Sequence, residues 1–304
     1  MFITSSLLGY FTINKPFSKE DEELFKKYDY GTKINVNGHK MNVGIFGENN
    51  HTTIVYLPGL FQSAPYYSIK PVAEALADKY RFIVIEPFGY GLSDIIDDER
   101  TIENVCLELH TAIKELKLEK YYLMAHSLYG LYCVHLANQY PEEVLGFIGI
   151  DSTVPGQEPL NKMIFNLTQT KLVSLLILQT KGLNMLGIHL PLISHDMSYN
   201  FTKDEIEAIK INSYKRSCNK NIYQEALATE DNLRRSLGMK FPESVPVLNL
   251  IAMDKGNKNE IWEQLHHDVI TEKNRSKVVI LEGKHMLHIT NRNGVLKEIR
   301  EWLN

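Results

Sequence analysis

Cysteine is scarce in this chain. Its 304 residues carry three, Cys106, Cys133 and Cys218, none in the paired spacing that a zinc site uses. Three thiols cannot build a disulfide framework, so the fold must rest on its core, and a reducing, cytoplasmic setting is expected. A dominant charge of one sign is missing too. Against 33 Lys and Arg stand 37 Asp and Glu, a formal net charge of -4. The basic residues are spread rather than striped, which gives no electrostatic reason to expect a nucleic-acid partner. The opening MFITSSLLGYFTIN is uncharged and fairly apolar, but it has no basic leading segment and is too short to span a bilayer. It is expected to be an ordered tail, with membrane contact or a truncated membrane or secretory anchor as the alternative. Internal repeats and low-complexity linkers are also lacking, which argues against a solenoid or a tethered array.

What is present is a chain 44% hydrophobic and 23% charged, able to bury a sizeable core as one large domain or two ordinary ones. Ile34, Val36, Met41, Val43 and Ile45 flank Asn37-Gly38, the pair a tight primed turn prefers, and predict an opening β-hairpin. Short apolar runs then alternate with helical stretches: TTIVYLP, PVAEALADK, RFIVIEP, a periodic helix, KYYLMAH, another helix, VLGFIGID. Such alternation predicts an α/β fold with a mainly parallel sheet and helices on its faces. In the helix predicted over 101–116, Ile102, Val105, Leu109, Ala112, Ile113 and Leu116 share one face, away from Glu103, Lys114 and Glu115. From about Val154 to Ser244 the alternation stops and the chain reads as a helical insertion. It resumes with PVLNLIA, a helix near Glu260 to Ile270, the strand KVVILEG and a closing helix through Val295 to Leu303. The expected organisation is a core from 1–153 and 245–304 with a helical cap over 154–244.

The chemistry centres on Ser127. Strand KYYLMA runs into His126-Ser127-Leu128-Tyr129-Gly130 and then an apolar helix, the setting in which a sharp turn lifts one side chain clear of a sheet. A serine hydroxyl is a weak nucleophile at neutral pH and needs a base to take its proton and donors to hold the oxyanion. The base candidate is His285, in a loop directly after the last apolar strand, in preference to His288. The oxyanion donors would be the backbone N–H groups of Leu128 and of Leu60, the latter in the turn LPGLFQ. Phe61, Tyr66 and Tyr129 are candidate pocket residues, Tyr66 and its neighbour Tyr67 reading equally well as helix-start residues. His126 reads as support beside the turn. His266 and His267 are adjacent in a helix, so they do not face one another, and no ligand cluster accompanies them; no metal or cofactor is expected.

Four segments in chain order resemble the α/β-hydrolase superfamily: LPGLFQS at its oxyanion turn, IEPFGYGLSD at D-x-x-G-x-G-x-S, AHSLYG at G-x-S-x-G and EGKHMLH at the G-x-H of its histidine. The resemblance implies a serine, histidine and acid triad beneath a helical cap. It also places Ala125 and Tyr129 where the motif has glycines, and Glu86 where it has aspartate. Tyr129 is bulky for a tight turn; either Gly130 relieves the turn or the ring projects into the pocket. The usual acid position, after PVLNLIAMDKGN, falls on Lys255, with Asp254 one residue early. The family's other acid position, at the end of the strand after the elbow helix, holds Asp151. Asp151 is preferred over Asp254, because Lys255 would put a positive charge beside His285. The activity implied is hydrolysis of an ester or related acyl bond in a small-molecule substrate by a carboxylesterase- or lipase-like serine hydrolase. Amide, thioester and carbon–carbon cleavage are variants within the fold, and dehalogenation and epoxide opening, whose enzymes carry Asp at the elbow, are disfavoured. The Leu- and Ile-rich run between Met163 and Leu192 reads as the buried face of the cap or as the wall of an acyl tunnel. From a different class, Tyr129 and Lys255 would suit a non-catalytic binding or interaction protein that keeps the scaffold.

Overall fold

A computed structural model describes residues 23, 25–157, 198–216, 219–253 and 260–304. Asn37 and Gly38, with φ of 51° and 87°, close the hairpin of β1 (Thr32–Val36) and β2 (His39–Phe46). Positive φ at both central residues is the geometry whose twist matches that of paired strands. The remaining strands are β3 (Thr53–Leu57), β4 (Arg81–Glu86), β5 (Tyr121–His126), β6 (Val144–Ile150), β7 (Val247–Met253) and β8 (Lys277–Glu282). They form one sheet in the order β1-β2-β4-β3-β5-β6-β7-β8. Among the described residues, only the β1–β2 and β2–β4 pairings are antiparallel.

The sheet is buried on both faces, which is why its inner strands read as continuous apolar runs. Side chains alternate between two cores. Val55, Leu57, Ile83, Ile85, Leu123 and Ala125 face one side, with α2 (Ile102–Glu115), α3 (Tyr129–Gln139) and residues of α6 (Glu260–Asp268). Ile54, Tyr56, Phe82, Val84, Met124 and Ile148 face the other, with α1 (Pro65–Leu76) and α7 (Arg292–Leu303). The predicted helix over 101–116 is present as α2, its first turn capped by the Thr101 hydroxyl, which accepts from the Asn104 amide at 3.3 Å. Glu108 is an addition to its buried face. It enters the core because its carboxylate takes both oxygens to the Arg100 Nη1, at 2.8 and 2.9 Å.

Of the segment expected to form a cap, the described residues are 154–157, 198–216 and 219–244; the run Met163 to Leu192 lies outside the described residues. Two helices, α4 (Lys203–Arg216) and α5 (Lys220–Arg235), are tied to the loop after β4. The Asn219 and Asn221 amides bond the Gly89 and Ile96 carbonyls, and Asn232 bonds Ile102 N–H and Arg100 carbonyl. These three asparagines are buried, supplying the loop's backbone with partners that no strand provides.

Glu86 holds more than the turn that follows it. Fully buried, its carboxylate accepts from the Tyr30 hydroxyl, Asn42 Nδ2, and the amides of Tyr66 and Leu92. Burial pushes its carboxyl above the usual range, and those four donors oppose the shift. Among the described residues, no helix is long and apolar enough to cross a membrane.

Candidate active site

After β3 the chain moves outward to β4, then returns to the other side of β3 to form β5. Such a reversal opens a crevice at the carboxyl ends of the two strands, the place where open α/β sheets bind ligands. The β3 end leads into Pro58-Gly59-Leu60, and the β5 end into Ser127.

Ser127 has φ of 52°, a left-handed conformation unfavourable for a residue with a Cβ. The surroundings enforce it. The Ser127 amide donates to the Ile150 carbonyl at 3.4 Å, and its own carbonyl accepts from Gly130 at 3.0 Å and Thr153 at 2.7 Å. Two glycines make the approach possible. A Cβ on Gly130 would lie 2.6 Å from Ser152 Cβ, and one on Gly59 would lie 2.9 Å from Ser127 Cβ and 2.5 Å from His126 Nδ1. The turn bearing Leu60 therefore passes directly against the serine. Among the described residues, neither the Leu60 nor the Leu128 amide has a protein acceptor. Gln62 fixes this turn: its Oε1 accepts from Gly59 N–H at 2.6 Å and from the Tyr56 hydroxyl at 3.3 Å, while its Nε2 donates to Ser68 Oγ at 3.0 Å.

The structure brings Ser127, His285 and Asp151 into one line. His285 Nε2 lies 2.9 Å from Ser127 Oγ, and His285 Nδ1 lies 2.6 Å from Asp151 Oδ2. With Nδ1 facing a carboxylate, the ring proton belongs there, which leaves the Nε2 lone pair toward the hydroxyl. The other oxygen, Asp151 Oδ1, accepts from the Ala252 amide at 3.0 Å and the Trp262 indole at 3.2 Å. Asp254 and Lys255 lie outside the described residues. His126 is buried and pushed well below the usual histidine range, chiefly by that burial, so its ring is neutral. Its Nε2 faces the His285 carbonyl at 3.0 Å and must carry the proton there. His288 is buried behind, 3.0 Å from Ser68 Oγ, and does not share the line.

Three pocket candidates have different placements. Phe61, 46% exposed with φ of 67°, projects from the turn after Leu60. Tyr66 lies against Gly44, stacks on Phe46 at a ring separation of 5.2 Å and lies tilted against Tyr30 at 4.8 Å. Its place is in packing between α1, β2 and the segment before β1, where an aromatic covers a glycine that cannot fill its own space. Tyr129 is wholly buried, edge-on to Tyr90 and Tyr132. Its hydroxyl lies 3.4 Å from Glu225 Oε2, which also accepts from Tyr90 at 2.9 Å. The bulky ring is thus packed among Tyr90, Tyr132 and Glu225, while Gly130 keeps the turn close to Ser152.

His266 has Nδ1 2.8 Å from the Trp262 carbonyl and Nε2 2.9 Å from the Ser152 carbonyl; burial pushes the ring below the usual histidine range, and the two carbonyls oppose that shift. Among the described residues no group of three His, Cys, Asp or Glu could hold a metal. Gln62 and Trp262 went unread in the sequence. A glutamine just after a Pro-Gly turn was the available signal for the first; nothing local marked the second.

The family described as alpha/beta hydrolase fold matches residues 52–176. The chain is 25% identical over 281 residues to the uncharacterized protein YbdG of Bacillus subtilis (strain 168), covering 90% of this chain and 85% of that one. In structure it is similar to the enol-lactonase of Burkholderia xenovorans LB400, with a TM-score of 0.62, 18% identity, and coverage of 90% and 99% of the two chains. It is likewise similar to an epoxide hydrolase variant of Vigna radiata, with a TM-score of 0.65, 16% identity, and coverage of 90% and 98%. The chain has the α/β-hydrolase fold. Its neighbours carry names of different chemistries, so substrate and reaction have to be argued from the site.

Proposed function

We propose that this protein is a cofactor-free serine hydrolase that cleaves an ester or related acyl bond of a small molecule through an acyl-enzyme on Ser127. The observation that carries this reading is the continuous line from Ser127 Oγ through His285 to Asp151, at 2.9 and 2.6 Å. His285 Nε2 takes the hydroxyl proton as Oγ attacks the carbonyl carbon, and the Asp151 carboxylate stabilises the imidazolium that forms. The Leu60 and Leu128 amides receive the oxyanion. Collapse of the tetrahedral species expels the alcohol, protonated by His285, and water attacks the acyl-enzyme by the same steps in reverse order.

Serine at the elbow favours this chemistry over epoxide opening and dehalogenation, for which the resemblance implies aspartate. The helices α4 and α5 belong, in this reading, to a cap over the crevice, and the free, buried thiols of Cys106 and Cys133 fit a cytoplasmic protein. A fluorophosphonate probe tests the proposal: it should label wild type and leave Ser127→Ala unlabelled. Well-folded wild type that takes no label would sink it. A p-nitrophenyl ester chain-length series then reads the acyl preference, medium or long chains favouring an apolar tunnel in the cap.

A further inference from the structure

We infer that Trp262 is a positioning residue for the triad acid, a role that rests on the serine-hydrolase reading above. Asp151 sits in a turn with φ of 41°, held on its backbone by donation to the Leu250 carbonyl at 2.7 Å. A carboxylate in such a turn can still rotate about its last bond, and its two oxygens are chemically equivalent. What distinguishes them here is their partners. Oδ1 receives the Ala252 amide at 3.0 Å and the Trp262 indole N–H at 3.2 Å, so Oδ2 is the oxygen left for His285, 2.6 Å away. Two donors on one oxygen fix the plane of the carboxylate, and that plane sets the tilt of the imidazole toward Ser127.

Trp262 is in turn held in place. It lies in the first turn of α6, and His266, four residues on and packed edge-on at 4.5 Å, faces both the Trp262 carbonyl and the Ser152 carbonyl next to the acid. One face of α6 thus grips the acid turn twice, by side chain at Asp151 and by backbone at Ser152. An indole placed only for its apolar area needs any acceptor for its N–H. This one spends that N–H on the carboxylate facing the histidine.

Two measurements test the role. In protein carrying 5-fluorotryptophan, the two indoles, Trp262 and Trp302, give two fluorine resonances, assigned with Trp262→Phe. Asp151→Ala should move the Trp262 resonance and leave that of Trp302 in place; an unmoved Trp262 resonance overturns the contact. On a p-nitrophenyl ester, Trp262→Phe should lower kcat about tenfold with KM within about twofold, the expected cost of one hydrogen bond to a charged group. Trp262→His, which restores an N–H donor, should recover most of the loss. Undiminished kcat, or a rise in KM with kcat intact, overturns positioning and makes the indole a packing or pocket residue. Fluorophosphonate labelling separates the failures. Unlabelled wild type defeats the hydrolase reading and this role with it, whereas labelled wild type alongside a fully active Trp262→Phe defeats this role alone.

Discussion

On the outer side of the elbow, Ser127 meets an imidazole whose side chain is 55% exposed, and its approach is kept open by a bare Gly59. Two residues later, on the inner side, Tyr129 is wholly enclosed with Tyr90, Tyr132, Glu225 and the Arg100–Glu108 pair. Both sides are polar, yet their polar groups are under different constraints. The outer groups can exchange partners with water, so substituting them should change reactivity and spare the fold. The inner groups are buried away from water, and a lost partner there is a stability cost.

The sharpest contrast should come from Ser127→Ala, with turnover falling by about 10⁴-fold or more while the melting temperature stays near wild type. Asp151→Asn should follow, losing about 10³- to 10⁴-fold in kcat through a wrongly protonated imidazole, and far more than Asp254→Asn. Steady-state kinetics on one ester would check both, and the reverse ranking of the two aspartates would refute the assignment of the acid. On the inner side the pattern inverts. Glu108→Ala strands the buried Arg100 guanidinium and should cost about 3–5 kcal/mol in urea unfolding. Fluorophosphonate labelling of its folded fraction should persist, and lost labelling in a folded variant would break the division of roles. Tyr129→Phe removes one hydroxyl from the Glu225 cluster and should cost only about 1 kcal/mol, with kcat within a few-fold.

The smallest effect concerns pH. Burial raises the Glu86 carboxyl from its usual 4.5. A raised carboxyl contributes stability in full below its usual value and loses it as pH rises through the folded-state value. Glu86→Gln cannot release that proton, so between about pH 4.5 and neutrality its stability should fall less, or rise more, than that of wild type. Parallel pH slopes in urea midpoints for the two proteins would show that Glu86 does not titrate in this range.

How much of this was legible follows the same inner and outer division. Strand alternation, the Asn37-Gly38 turn and the face of α2 are local patterns, and they were readable because period and turn chemistry act within a few residues. Ser127 and His285 were readable as candidates because a motif marks each, at the end of a strand. The choice between Asp151 and Asp254 was not, since it depends on which strand end faces the histidine loop. The direction of Tyr129 depends on Glu225, 96 positions on, and the role inferred for Trp262 on a partner 111 positions back. Nothing in the sequence marked Glu108 as buried, because its Arg100 partner lies in a loop, where periodicity says nothing.

The backbone bonds between the Ser127 and Asp151 turns have one more consequence. Ser127 donates to Ile150 and accepts from Thr153, so the two turns at the ends of β5 and β6 are knitted into one piece of sheet. The distance from Ser127 to Asp151 is then a property of the scaffold. The histidine alone arrives on its own loop, near the end of the chain, steadied by its carbonyl on His126. Two members of the line are set by the sheet and the third by a loop. Redesign of reactivity in this chain therefore begins at the loop 283–287 and leaves the sheet untouched.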